Sequence, residues 1–571
     1  YCFSTPALIE PPKIVDWLVT IYDFGLLGYF LQQGVVRRNY YIIGLALLQI
    51  LLLIMVLFTL PHSSTPNLYV DKLTLFFYLI VAVVGVPIAI FATKYMDYGE
   101  KGKHTFVALV IWFLGVMNFA VTVNNIEWFF ALFETTTLAS YLMIGFRGDR
   151  EAVQNSNLAL WMNQIGGVAI LLALLVFAKS TGHYHFTDLL KDSKGTLMAG
   201  LGFLAVSALV KGAQMPFHRW LLGAMVAPTP VSAILHSATM VKIAPYIILR
   251  ISPLIKGTLL AKLLIIETGY VFVIAAVIAL TQDNFKKILA YSTISLLGLM
   301  MLAGAAGTPT AITAALLLIL FHAFAKGFLF VEAGVLEKAF EVKYITQMRR
   351  LIEKAPLTLM FLFFGFLNMT LVPFGTFLGK WIILEEAGRF ITHGSYVLMV
   401  LAVTAGSAFL SILYMKVLGI SVRKAHGIEK IRFVKLPITF NFVGFWYYFW
   451  LVGMTLLIAP LTAHYLGAIT TQLVGVTPPI VSKGLSLELY NSTLYFWEIF
   501  GALVLLLMIH TLPYFVRFKN VDFVHPYNCG EIFPRYLGTW DFECIANKEP
   551  MFVYFSVALF IIVVVLGGGL L

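Results

Sequence analysis

Residues 227–242 read APTPVSAILHSATMVK, and this stretch decides the fold class. Two prolines stand near its start, and His236 and Lys242 lie among small and apolar residues. Apolar runs long enough to cross a membrane flank it on both sides. A charged side chain at the centre of a bilayer costs about 2.5–3.5 kcal/mol even on the most lenient scale. Lys242 is therefore expected to face water or the interior of a helical membrane protein.

The composition of the whole chain agrees with this expectation. Of 571 residues, 60% are hydrophobic and 12% are charged, and the mean hydropathy is +0.90. A soluble domain carries about 25% charged residues, so this chain has too few ionic groups to cover a water-facing surface. The composition excludes a soluble enzyme, a secreted disulfide scaffold, a nucleic-acid-binding protein and a disordered protein. The net charge of +11 is expected to reflect membrane topology.

Hydropathy predicts an all-α polytopic membrane protein with sixteen transmembrane helices. A helix needs about 20 apolar residues to cross about 30 Å of hydrocarbon. The first predicted span is weak because Asp16 and Asp23 interrupt it, and the long twelfth and fourteenth spans contain Pro373 and Pro460. The predicted spans are approximately 14–33, 40–60, 70–94, 104–122, 125–146, 157–178, 196–216, 225–249, 259–281, 287–305, 310–337, 356–386, 395–415, 437–469, 493–515 and 550–571.

The placement of Lys and Arg predicts the orientation of these spans. The loops after odd-numbered spans hold most of the Lys and Arg residues, among them Arg37, Arg38, Lys101 and Lys103. Cytoplasmic loops carry the excess of positive charge in membrane proteins. We therefore expect a cell (inner) membrane protein with both termini on the outside.

Charged side chains well inside the predicted spans are the candidate functional residues. The proton affinity of a buried lysine depends on whether a carboxylate is near it, so such a lysine can load and release a proton as the carboxylate moves. The sequence thus predicts a proton relay, and the alternative is a set of static ion pairs that hold helices together. The residues concerned are Lys211, Lys242, Lys326, Lys380, Glu134 and Glu332.

Prolines beside two of these lysines predict broken helices. Pro216, Pro228 and Pro230 follow Lys211, and Pro373 precedes Lys380. Broken helices at membrane depth are tolerated only where they line a cavity or are buried in protein. The interrupted spans are the seventh and the twelfth, which run in opposite directions. This spacing predicts an inverted five-helix repeat, with spans four to eight mirrored by spans nine to thirteen. The alternative is an ordinary proline kink.

Two histidines accompany the lysines. His322 lies four residues before Lys326, which places both on one helix face. His236 lies six residues before Lys242, and it is either a further relay member or a satisfied core residue.

These stretches resemble the antiporter-like, ion-translocating subunit family. That family occurs in respiratory complex I, in membrane-bound energy-converting hydrogenase-type complexes and in Mrp-type multi-subunit cation/proton antiporters. The resemblance rests on Lys211, on residues 227–242, on Asp283 with residues 286–293, and on residues 322–326, and it covers roughly residues 70–420.

The resemblance implies a role for each matched residue. Glu134 would be the partner of Lys211 in the broken seventh helix. Lys242 and His322/Lys326 would bridge the centre, and Lys380 would be the ionisable residue of the broken twelfth helix. The implied mechanism is a half-channel from each side, joined by a hydrated lysine and histidine axis.

The chain itself is expected to hold no metal and no cofactor. Cys2, Cys529 and Cys544 form no CxxC motif and no Cys/His cluster, and no nucleotide-binding glycine motif is present. Iron–sulfur or nickel–iron centres would lie in partner subunits. Those partners would be further antiporter-like subunits and a peripheral redox arm. The transported ion would be H+, alone or in exchange for Na+, and the chain would be surrounded by membrane lipid.

Alternative functions remain open at this point. The chain could belong to a non-redox Mrp-type antiporter instead of a hydrogenase-like or complex I-like oxidoreductase, and identifying the copurifying subunits would separate the two. A self-sufficient solute transporter is disfavoured because no midplane site for an organic solute is evident. A purely structural role is disfavoured by the number of intramembrane charges.

The expected domain organisation follows the spans. Residues 1–103 hold N-terminal transmembrane helices, 104–250 the first repeat unit and 251–420 the second. Residues 421–571 hold the C-terminal helices, with a cytoplasmic linker at 516–549.

Overall fold

The computed structural model describes residues 6–61, 63–191, 194–349, 351–370, 373–392, 394–422, 436–501, 505, 545 and 547–567. The three cysteines lie outside the described residues. So do nearly all of the linker expected at 516–549 and most of the predicted span 493–515.

The described chain is mostly α-helical. The first half contains α1 Ile14–Val36, α2 Tyr40–Thr59, α3 Lys72–Tyr95, α4 Lys103–Thr122, α5 Ile126–Ile144, α6 Arg150–Ser180, α7 Phe186–Leu189, α8 Lys194–Lys211, α9 Arg219–Gly223, α10 Thr229–Ser237 and α11 Ile243–Ile255. The second half contains α12 Leu259–Thr281, α13 Phe285–Ala306, α14 Pro309–Ala339, α15 Leu351–Lys354, α16 Pro356–Thr370, α17 Gly375–Arg389, α18 Gly394–Val422, α19 Ile438–Leu456, α20 Ile458–Pro460, α21 Gly467–Val474 and α22 Glu549–Ile562. Short 3-10 helices cover Ala224–Val226, Met240–Lys242 and Ile345–Met348, and π-helical turns cover Leu461–Leu466 and Val563–Gly567.

The helices are those of a polytopic membrane protein. Among the described residues, 12 helical segments are long and apolar enough to cross a membrane, and 13 if the bent pair Ile438–Leu456 and Ile458–Val474 is one span. Neither α5 nor α8 is among the twelve. The bend of 75° lies at Leu457, three residues before Pro460, where the sequence had placed the break.

Side chains ahead of the helices explain where several of them begin. In each case an oxygen of the residue before the helix accepts a hydrogen bond from a backbone N–H of the first turn, which has no partner within the helix. These capping residues are Asn39, Asp71, Asn125, Asp149, Thr258, Asn284 and Thr308.

Two small antiparallel sheets correct the all-α expectation. β1 (Ala7–Ile9) pairs with β2 (Leu68–Val70). β3 (Ile480–Lys483), β4 (Ser486–Leu489) and β5 (Ser492–Tyr495) form a meander. β5 covers the first residues of the predicted fifteenth span. The prediction of a helix was therefore wrong for those residues. Hydropathy alone cannot tell a short apolar strand from the end of a helix, which is the physical reason for the error.

The core of the molecule is built around α13 and α14. Every residue in the most apolar 18-residue window of each helix is buried. α14 packs against α3, α10, α13, α16, α17 and α19, which surround it on all sides. By contrast, α1, α18 and α22 are mostly exposed and form the periphery. The charged side chains of α14 therefore face protein and not the lipid surface.

A file of buried cationic side chains

Glu134 lies on α5 and is fully buried. Its Oε1 accepts a hydrogen bond of 2.7 Å from the Gln49 Nε2 of α2, and Gln49 also donates to the Gln164 carbonyl of α6 at 3.1 Å. The Glu134 Oε2 has no hydrogen-bond partner among the described residues. A Cβ placed on Gly167 of α6 would lie 1.8 Å from Oε1. Helix α6 can thus approach the carboxylate only because residue 167 is a glycine.

Lys211 is the last residue of α8 and approaches the same turn of α5. Its Nζ donates to the Phe133 carbonyl at 2.9 Å and to the Thr137 Oγ1 at 2.8 Å, and it lies 3.9 Å from the centroid of the Phe133 ring. No ion pair within 4 Å joins Lys211 to Glu134 among the described residues. Both groups that the amine contacts nevertheless lie within one turn of Glu134 on α5. Small rearrangements of α5 can therefore strengthen or weaken the interaction between Lys211 and Glu134.

The chain after Lys211 leaves the helix. Residues 212–218 form turns that include Pro216, and α9 follows. Pro228 precedes α10 and Pro230 lies in its first turn, a position where proline is tolerated because its missing N–H would have no helical partner. Pro373 lies between α16 and α17. Helix α8 thus ends at Lys211, the residue whose buried amine contacts α5.

A second interruption lies between α10 and α11, directly before Lys242. Residues 238 and 239 are not helical, and no proline is present there. The Thr239 Oγ1 donates to the Ile234 carbonyl at 2.6 Å, and the Ser237 Oγ donates to the Ala233 carbonyl at 2.6 Å. The Thr239 hydroxyl thus satisfies a carbonyl of the last turn, which the end of the helix leaves without an N–H partner.

Lys242 and His322 form a direct contact in the interior. The Lys242 Nζ lies 2.7 Å from the Nδ1 of His322 on α14, and both side chains are fully buried. This is hydrogen-bond distance, so a proton can pass along the contact between the two nitrogens. The Nε2 of His322 has no partner among the described residues.

Lys326 lies one turn beyond His322 on α14. Its Nζ donates to the Ser292 Oγ at 2.5 Å and to the Leu289 carbonyl at 3.0 Å, both on α13. His236 packs on the Phe330 ring with 4.7 Å between centroids, and neither of its ring nitrogens has a partner among the described residues. Both Lys242 and Lys326 lie within electrostatic range of His236.

The structure does not join all the sequence-predicted residues by direct contacts. The Lys380 Nζ, on α17, donates to the Met369 carbonyl at 3.3 Å and contacts none of the other predicted relay residues. Glu332 is buried near Gly444 of α19, where a Cβ would lie 3.2 Å from its Oε1. No described contact links Glu332 to a lysine. Between Lys211 and the Lys242 region the described residues show close packing, since a Cβ on Gly212 would lie 2.8 Å from the Ala244 Cβ.

Sequence reasoning missed several buried polar residues, among them Gln49, Asp23 and Glu267. Gln49 is an amide in an apolar span and gives no charge signal. Asp23 was noted only as a weakness in the first span. Glu267 of α12 is fully buried with neither carboxylate oxygen partnered among the described residues, although its charge in an apolar run could have been noticed. No group of three or more His, Cys, Asp or Glu among the described residues lies close enough together to hold a metal ion.

Fold and site together define a polytopic membrane protein whose interior holds cationic side chains at hydrogen-bond distance. The chain belongs to the family described as NADH:quinone oxidoreductase/Mrp antiporter, TM, which it matches over residues 123–411, just over half its length. It also matches the family described as NADH-Ubiquinone oxidoreductase (complex I), chain 5 N-terminus, over residues 61–107. The resemblance seen in the sequence is thereby confirmed.

Individual relatives come from two kinds of assembly. The chain is 33% identical over 302 residues to a probable K(+)/H(+) antiporter subunit of Rhizobium meliloti (strain 1021), and the match covers 51% of this chain and 30% of the relative. It is 34% identical over 360 residues to NADH-ubiquinone oxidoreductase chain 5 of Pseudosoriculus fumidus, covering 62% of this chain and 59% of the relative. The chain therefore spans less than two thirds of either relative.

A solved structure shares the fold. A chain in the structure of the membrane-bound sulfane sulfur reductase (MBS), an archaeal respiratory membrane complex, superposes with a TM-score of 0.66 at 21% identity. The match covers 81% of this chain and 98% of that one.

Proposed function

We propose that this chain is the ion-translocating, antiporter-like subunit of a redox-driven multi-subunit membrane complex. It moves protons, or exchanges Na+ for them, through Glu134, Lys211, Lys242, His322, Lys326 and Lys380, with His236 as a further relay member. The observation that carries the proposal is the 2.7 Å contact between the Lys242 Nζ and the His322 Nδ1, deep in the helical bundle. A static ion pair would join opposite charges, whereas this contact joins two groups that can each carry a proton.

Coupling begins at Glu134 and Lys211. The amine contacts the turn of α5 that carries the carboxylate but makes no ion pair with it. A shift of α5 that closes this gap stabilises the charged lysine, and a shift that opens it releases a proton toward Lys242. The energy for the shift comes from a neighbouring subunit.

The proposed architecture places this relay in an inverted repeat. Spans four to eight are mirrored by spans nine to thirteen within sixteen spans, with repeat units at residues 104–250 and 251–420. Support comes from Lys211 and Lys380, each of which lies beside a break between helices. Both termini lie outside the inner membrane in this proposal, because the Lys and Arg residues concentrate on the opposite side.

The proposed partners are further antiporter-like subunits and a peripheral redox arm that holds the iron–sulfur or nickel–iron centres. The second candidate is a component of a non-redox Mrp-type cation/proton antiporter, which is favoured by the similarity to a K(+)/H(+) antiporter component. Proteins that copurify with this chain separate the two, since only the first complex contains redox proteins.

The test uses the assembled complex in membrane vesicles. Lys211→Ala and Glu134→Ala should each abolish coupled proton uptake, measured with a pH-sensitive dye, and leave assembly intact. Lys262→Ala, which removes an exposed lysine of α12, is the matched control and should transport normally. Normal uptake by an assembled Lys211→Ala or Glu134→Ala complex would show that the relay assignment is wrong.

A further inference from the structure

Helices α1 and α5 carry carboxylates at the same spacing. Asp16 and Asp23 are seven residues apart on α1, and Glu127 and Glu134 are seven residues apart on α5. Seven residues make nearly two helical turns, so each pair lies on one face with about 10 Å between its members along the axis. Each helix therefore presents one outer and one deeper carboxylate.

Direct contact fixes the register of the two helices. They pack together, and the Tyr22 hydroxyl of α1 lies 2.8 Å from the Thr135 Oγ1 of α5. This contact brings Asp23 to the level of Glu134. A second link joins the outer ends, because Asn67 donates to the Asp16 Oδ1 at 3.0 Å and accepts from Asn125, the residue before α5, at 2.9 Å. The four carboxylates thus lie at two levels, Asp16 with Glu127 at the outer level and Asp23 with Glu134 at the deeper one.

Burial increases along this series. Asp16 and Glu127 are partly exposed, whereas Asp23 is 1% exposed and Glu134 is 0% exposed. At the outer end, the Asp16 Oδ1 accepts a hydrogen bond of 3.0 Å from the Asn67 Nδ2 in the loop between α2 and α3. The series thus starts at a polar loop and ends at the proposed relay.

Three of the four oxygens of the deeper carboxylates lack partners among the described residues. Neither Asp23 oxygen has a hydrogen-bond partner among the described residues, and the Glu134 Oε2 has none either. Leaving buried carboxylates charged and unpaired is costly, so a cation must neutralise them. The described residues include no group of three or more acids or histidines that could hold a metal ion. A proton, which needs only one carboxylate and water between levels, fits this arrangement.

We propose that α1 and α5 form a proton-entry path that runs from Asp16 through Glu127 and Asp23 to Glu134. It opens at the side of the membrane where both helices begin. This proposal rests on the proposed function, since Glu134 is where the path ends. Helix α1 lies outside both matched family ranges, 61–107 and 123–411, so the matches assign it no role.

The first test replaces one carboxylate with an amide, which has the same shape but does not ionise. Asp23→Asn in the full complex should lower the initial rate of proton uptake into vesicles about a hundredfold or more, the scale of losing one proton-transfer group. Asp23→Glu should retain transport. The matched control is Asp188→Asn, because Asp188 of α7 lies at the same side of the membrane and pairs with Lys191 and Thr65, which are not part of the path.

A second test measures access directly. With Cys2, Cys529 and Cys544 replaced by serine, Asp23→Cys should react with a cationic methanethiosulfonate added from the side where α1 begins. Reaction with an anionic reagent should be slower, because the neighbouring acids repel it. Leu27→Cys, one turn deeper and fully buried, is the unreactive control.

The outcomes are distinguishable. Normal uptake by Asp23→Asn, or labelling of residue 23 only from the opposite side, overturns the entry path. If Lys211→Ala still abolishes uptake in that case, the proposed relay stands without the path. If Lys211→Ala also transports normally, the proposed function itself has failed.

Discussion

Substituting Gly167 with alanine should displace the carboxylate of Glu134 while leaving the fold in place. The new Cβ would lie 1.8 Å from the Glu134 Oε1 and 2.4 Å from the Gln49 Nε2. Ordinary van der Waals contact begins near 3.4 Å, so Oε1 must move by the difference, about 1.6 Å. Both obstructing atoms are ends of flexible side chains, and the backbone of α6 therefore does not have to shift.

Gly167→Ala is expected to change the free energy of unfolding little and the transport rate strongly. Losing the 2.7 Å bond between Gln49 and Glu134 costs about 1–3 kcal/mol. Replacing a helical glycine by alanine returns about 0.5–1 kcal/mol. The net loss of stability is thus small, whereas a misplacement of about 1 Å in a reacting group can cost about a hundredfold in rate.

The assay compares thermal unfolding of the purified complex with proton uptake in vesicles. Gly167→Ala should unfold within a few degrees of the parent complex and transport poorly. Gly115→Ala on α4 is the control, because a Cβ there meets nothing within 4 Å. Unchanged transport by Gly167→Ala would refute the reasoning that the position of the Glu134 carboxylate matters.

Three further outcomes are expected. Lys242→Ala and His322→Ala should each reduce proton uptake strongly, and the double variant should be no worse than either, because one contact joins the pair; additive losses would argue against a shared step. Asp71→Asn should destabilise the complex by about 3–5 kcal/mol, since it leaves the buried Arg250 guanidinium without its 2.5 Å ion pair, and thermal unfolding would show this as a lower midpoint. Gln49→Leu should reduce uptake and also lower the unfolding midpoint, because it removes the bond to Glu134, and a parent-like rate would mean that the amide does not position the carboxylate.

The sequence revealed the charged part of the site because charge is expensive in a membrane. Lys211, Lys242 and Lys326 stand out in apolar runs, and burial of each agrees with the expectation that they avoid lipid. Gln49 gives no such signal, because a neutral amide in an apolar helix costs far less. Its role depends on a contact between α2 and α5, which no local pattern encodes.

Helix interruptions were predictable only where proline causes them. Pro216 follows the end of α8 in the sequence, but the break at residues 238 and 239 contains no proline, and the Thr239 hydroxyl bonds a carbonyl of the last turn of α10 there. Serine and threonine are also common inside membrane helices, so their presence alone does not indicate a break. The strand Ser492–Tyr495 was missed for a related reason, since its apolar residues suit either a helix or a strand.

The complete enclosure of α14 has a consequence for biosynthesis. A nascent helix that carries His322, Lys326 and Glu332 is a poor candidate for release into lipid on its own. α3, α10 and α13 are made earlier and can receive one side of it, whereas α16, α17 and α19 are made later and close over the other. Insertion of this helix must therefore wait for its neighbours, so the order of synthesis helps to keep the buried amines away from lipid.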